Sequence, residues 1–141
     1  MKVRTRIVLD TNALVSRLLL PDSIPGQAVK KAVEECEILM SESTLYELAE
    51  VLGREKFEAY VSIQDRKEFL RIPGRIVEMV QILQAVHDCR DVRDNHILEV
   101  AVNGRAQVLV TGDEDLLVLN PFRGISIMKP VDYLKWKPAS P

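Results

Sequence analysis

The chain has 141 residues, 47% hydrophobic and 28% charged, with a formal net charge of −2. That length suits one domain that buries roughly two thirds of its unfolded surface, and the near-neutral balance gives no global attraction to nucleic acid. Two distant cysteines, Cys36 and Cys89, exclude a disulfide-rich scaffold and a cysteine-based zinc site, and apolar stretches such as LVSRLLL are interrupted or too short to span a bilayer.

TRIVLD (5–10) reads as a short β-branched strand ending in an acid, followed by the helical spacing of NALVSRLLL (12–20). MKVRTRIVLD lacks the apolar segment and cleavage site of a secretory signal, so residues 1–141 are expected to form one retained cytoplasmic domain. Pro21 and Pro25 mark a loop, GQAVKKAVEE a helix, and EILM (37–40) a second strand. From Ser41 a helix runs through LYELAEVLGR with Leu45, Leu48 and Leu52 on one face. A longer helical region is expected from Asp65 to about Val80, kinked or split at Pro73, while MVQILQAV (79–86) fits either a helix end or a strand. DNHILEVAVNG (94–104) reads as a helix closed by Gly104, QVLVT (107–111) and ISIM (125–128) as strands, and a last short helix begins at Pro130. Short strands alternating with helices predict an α/β fold, a mainly parallel sheet of about four or five strands with helices on both faces. Such sheets bind ligands beyond the carboxyl ends of their strands.

The acids fall at those ends. Asp10 closes the first strand, and Asp113 and Asp115 follow QVLVT. Asp10 and Asp113 also precede helices, so each suits an N-cap equally well, and Asp115 is open between ligand and cap. Asp94 shares a helical stripe with Ile97, Leu98 and Ala101, which aims it at the core, although an acid is also favoured at a helix start by the dipole. Neighbouring Asp91 reads as loop. Glu47 lies with Glu50 and Arg54 opposite the leucine face, and by pattern alone it is a solvated glutamate. Asn12 and Thr111 are small hydrogen-bonding groups at the same edge, each also suited to finishing a turn. His87 and His96 lack a zinc-type partner and read as incidental, and the chain has no nucleophile elbow, Walker loop or dinucleotide fingerprint. An oxygen-only inventory favours a hard cation, Mg²⁺ or Mn²⁺.

IVLDTNALVS, LYELAEVLGREKF, DVRDNHILEVAV and VLVTGDEDLL, in this order and spacing and with a terminal ISIMKPVDYL, resemble the PIN domain, in the toxin-component branch that includes the VapC-type ribonucleases. The resemblance implies a PIN-like fold and an acidic site at Asp10, Glu47, Asp94 and Asp113, with Asp115 as a further acid at the metal. It brings Glu47 into the site, and it makes Asn12 and Thr111 supporting or substrate-positioning groups. Where the branch commonly has Asp-Pro, this chain has Asp91-Val92.

The implied reaction is hydrolysis of RNA phosphodiester bonds with one or two bound Mg²⁺ or Mn²⁺ ions. Asp10, Glu47 and Asp94 would anchor the main ion, and Asp113 with Asp115 a second ion or the attacking water. A cognate antitoxin protein and a homodimer packed through helices are implied partners. Arg17, Lys30, Lys31, Arg54, Lys56, Arg90 and Arg93 are candidates for phosphate contacts at the rim, or ordinary surface charges. Two rivals fit part of the pattern. A phosphoaspartyl phosphotransferase of the haloacid dehalogenase type would use Asp10 as nucleophile but normally has a second acid where this chain has Asn12. A non-catalytic module would use the acids to hold a structural cation or a basic partner segment.

Overall fold

The computed structural model describes residues 4–53 and 77–138, and of Arg93 the backbone alone. Among these residues, strands β1 (Thr5–Leu9), β2 (Cys36–Met40), β3 (Val77–Met79), β4 (Val108–Val110) and β5 (Ser126–Met128) form one sheet. Its order is β3-β2-β1-β4-β5, and every pairing is parallel. The sheet is packed between helices α1 (Thr11–Leu19), α2 (Ile24–Glu35), α3 (Glu42–Leu52), α4 (Asn95–Asn103), α5 (Glu114–Leu117) and α6 (Pro130–Lys135).

Strand alternation divides the core into two layers. Ile7, Leu9, Ile38, Met40, Val108 and Val110 face one side, against Leu14 of α1, Val29 of α2, Leu48 of α3 and Tyr133 of α6. Val8, Leu39, Leu109 and Ile127 face the other, against Leu98 and Ala101 of α4 and Leu116 of α5. Central strands buried on both faces explain why VLV and IVL read as continuous apolar runs. Each such aliphatic side chain contributes on the order of 2 kcal/mol by leaving water. Side-chain caps start several helices: Ser23 accepts from the Gly26 N–H at 3.1 Å, while Ser41 and Thr44 form a reciprocal capping box at the start of α3.

One expectation is corrected and another is met. The helical reading of Asp65 to Val80 lies outside the described residues up to 76, but its end is strand: Val77–Met79 pairs with β2, and the Val80 N–H extends the ladder to the Met40 carbonyl at 2.7 Å. Residues 80–86 then run without regular structure. Gly104 ends α4 as expected, with a right-handed φ of −86°. Space explains glycine there, because a Cβ would lie 2.8 Å from both Leu39 Cδ1 and the Val100 carbonyl oxygen.

Candidate active site

In this sheet the chain steps outward from β1 to β2 and β3, then returns to place β4 on the other side of β1. The reversal opens a crevice between the carboxyl ends of β1 and β4, where an open α/β sheet receives ligands. Asp10 follows β1 and Asp113 follows β4 by one short turn, so chain direction alone brings them to this crevice. A cleft of about 380 Å³ opens there, with Asp10, Asn12, Ser16, Gly112 and Asp113 among its lining. A larger cavity of about 840 Å³, between Arg4, Lys31 and Trp136, lies where the strands begin, away from these acids.

Asp10 both caps a helix and faces the cleft. Its Oδ1 accepts from the Ala13 N–H at 2.8 Å and its Oδ2 from the Thr111 hydroxyl at 2.7 Å. Burial pushes its carboxyl above the ordinary range, and the bonds from Ala13, Thr111 and the Gly112 N–H oppose that shift. Thr111 is fully buried, and its oxygen also accepts from the Asp113 N–H at 3.0 Å, coupling the two strand ends. Asp113 in turn caps α5 by accepting from the Asp115 N–H at 2.9 Å.

Asp94 differs from both. It ends a 3-10 turn, Val92–Asp94, and precedes α4 without making a side-chain cap bond. Ile97, Leu98 and Ala101 of its stripe are buried, as the periodicity predicts. Its Oδ2 is buried and has no hydrogen-bond partner among the described residues. The carboxyl is pushed up to about 7, first by burial, then by the hydrogen-bonding and repulsive proximity of Asp113, then by the charge of Asp91, while His96 acts in the opposite direction. Oxygens of Asp91, Asp94 and Asp115 lie within 4.8 Å of one another. Asp91, read from the sequence as loop, is brought there by the turn in which the Asp94 N–H donates to its carbonyl at 3.0 Å. The preceding segment is pinned by Asn95, whose Oδ1 accepts from the Cys89 N–H at 2.9 Å.

Glu47 projects from α3, and its Oε2 is paired with His96 Nε2 in the first turn of α4. The histidine set aside in the sequence is therefore its partner. Arg90 reaches Asp115 Oδ1 at 2.5 Å from a largely exposed position. Other basic candidates lie elsewhere: Arg17 bonds the Pro21 carbonyl at 3.4 Å, beyond the end of α1. Lys31 corrects its own rim assignment, because α2 runs towards the amino end of β2. Lys31 Nζ is tied to the Tyr133 and Trp136 carbonyls at 2.8 and 2.7 Å. Arg54 and Lys56 fall outside the described residues, as does the side chain of Arg93.

The fold and site define an α/β protein whose parallel sheet gathers acidic side chains at its reversal point. The chain belongs to the PIN domain family, whose match covers residues 6–115. PIN domains are nucleases that use divalent metals. The chain is 29% identical over 120 residues to the uncharacterized protein MJ1680 of Methanocaldococcus jannaschii, covering 84% of this chain and 77% of that protein. Its fold resembles VapBC2 from Rickettsia felis, solved bound to a DNA fragment from its promoter, with a TM-score of 0.59 and 15% identity over 89% of this chain and 98% of that one. It also resembles PAE2754 from Pyrobaculum aerophilum, with a TM-score of 0.58 and 20% identity over 94% of this chain and 91% of the other. Membership in this family displaces the haloacid dehalogenase reading. No described helix is long and apolar enough to cross a membrane.

Proposed function

We propose that this chain is a Mg²⁺- or Mn²⁺-dependent endoribonuclease that hydrolyses RNA phosphodiester bonds, the toxin of a toxin-antitoxin pair. Asp94 carries the reading: a buried carboxylate oxygen without a donor among the described residues, beside Asp113 and grouped with oxygens of Asp91 and Asp115. Burying such a group uncompensated is costly, and a cation among the acids offsets it. The donors are all oxygen, which suits a hard divalent ion. Asp94, Asp113 and Asp115 would hold it together with Asp10 and Glu47, and Asp91 joins that set.

A bound divalent ion polarises a phosphoryl oxygen and makes water acidic enough to supply hydroxide near neutral pH. The chain's own groups prepare the site. Thr111 fixes the Asp10 carboxylate, and the Asp115 N–H orients Asp113. Asn12 lines the cleft where substrate enters, and Arg90, exposed beside the acids, is placed to meet a backbone phosphate. Substrate contacts from Arg54 and Arg93 rest on the family pattern, as does a homodimer packed through helices. The cognate antitoxin finds its support in the fold likeness to VapBC2, an argument from fold alone.

The test is incubation of purified protein with total RNA in Mg²⁺, Mn²⁺ or EDTA. Cleavage in metal and none in EDTA is the expected result. A folded protein that cleaves no RNA with either metal fails the reading, and the non-catalytic cation or partner-binding module replaces it.

A further inference from the structure

Glu47 sits on a part-exposed face of α3, 49 residues before the histidine it contacts, and no sequence period directs it inward. The imidazole that takes one of its oxygens belongs to α4, two residues after Asp94. His96 is also near enough to Asp94 for its charge to act on that carboxyl. One ring therefore contacts the acid of α3 from within the helix that Asp94 opens.

We propose that His96 is a positioning residue of the cation site: its Nε2 holds Glu47 Oε2 against the first turn of α4 and leaves the second carboxylate oxygen for the ion. This rests on Glu47 and Asp94 acting as cation ligands, as argued above. A free glutamate has several rotamers, and ordering one costs up to about 2 kcal/mol of side-chain entropy. When His96 fixes the carboxylate on folding, the ion no longer bears that cost, which is the general effect of preorganised ligands. Removing such a hydrogen-bonding partner typically lowers metal affinity by about 10- to 100-fold. A mere interhelix staple would instead lower stability and leave affinity alone.

The experiment is calorimetric titration of the full chain with Mn²⁺, alongside melting curves in EDTA. His96→Ala should lose about tenfold or more in affinity while staying folded in EDTA. His96→Gln keeps an N–H donor and should recover most of that affinity. In a Glu47→Gln background, His96→Ala should add no further loss, because the residue it positions is already disabled. If Glu47→Gln weakens binding and folded His96→Ala does not, the positioning role is overturned and the ligand reading survives. Equal losses for His96→Gln and His96→Ala overturn it as well. If the wild type takes up no Mn²⁺, or Glu47→Gln binds as tightly as wild type, the ligand reading itself fails and the role of His96 goes with it.

Discussion

Replacing Asp94 with Asn should stabilise the metal-free protein at the expense of its chemistry. The folded state raises this carboxyl from 3.8 to about 7, so folding disfavours the charged form. That rise, at about 1.36 kcal/mol per tenfold change in acidity, sets a ceiling of about 4 kcal/mol. The side chain retains contact with water, and screening brings the expected gain to on the order of 2 kcal/mol. For a domain this size that is a rise of roughly 7 °C in melting temperature. Asp94 makes no side-chain cap bond, so little is lost in exchange. The pH dependence has a definite sign. Below about 3.8 the group is protonated in both states and carries no penalty. The penalty grows as pH rises and is complete above about 7. The advantage of Asp94→Asn in EDTA should therefore be full at pH 8, about half as large near pH 5.5 and small at pH 4. Mn²⁺ binds the folded wild type preferentially and should narrow or reverse the gap. Paired melting curves at these pH values, with and without Mn²⁺, give the answer. A variant that melts at or below wild type at pH 8 in EDTA refutes the converging-acid argument, because attraction to the α4 dipole would then outweigh burial and repulsion.

Asp10→Asn and Asp113→Asn should each lower RNA cleavage at least about 100-fold, equivalent to roughly 3 kcal/mol of transition-state stabilisation, while remaining folded. Full activity in both, with circular dichroism unchanged, would remove them from the site. Glu47→Gln should weaken Mn²⁺ binding and cleavage, whereas exposed Glu50→Gln on the same helix should leave both unchanged; the reverse order would mean that the glutamate match is out of register. Gly104→Ala should destabilise the fold by about 1–3 kcal/mol through overpacking against Leu39 and the Val100 carbonyl, read from the urea midpoint with cleavage retained at low temperature. An unchanged midpoint would show that the Leu39 side chain gives way.

The parts of this site that the sequence exposes are those governed by period and chain direction. Asp10 and Asp113 follow apolar runs that have to be parallel strands, and parallel strands carry whatever follows them to one edge. Asp94 announces itself by opening an apolar stripe. Lys31 could have been assigned to the opposite end by the same logic, because it lies in the second half of a helix that leads directly into a strand. Glu47, His96 and Asp91 obey no such rule: one pair meets across two helices, and the third is turned inward by a single backbone bond. Strand β3 was hidden for a related reason, since three residues hold no period and it is the neighbouring β2 that decides their conformation.

The same distinction locates the electrostatic tension. Asp10 and Asp113 can double as helix caps, so backbone N–H groups offset part of the cost of gathering them at a strand edge. Asp94 receives no such help: it makes no cap bond, and its Oδ2 has no donor among the described residues. Local structure thus satisfies Asp10 and Asp113 and leaves the cost on Asp94. A folded chain can relieve that cost by holding a proton at Asp94 or by holding a cation. Near neutral pH the two compete, since burial and Asp113 push the carboxyl up to about 7. Cation affinity should accordingly fall as the pH drops below 7, with one proton displaced from Asp94 per ion bound at lower pH.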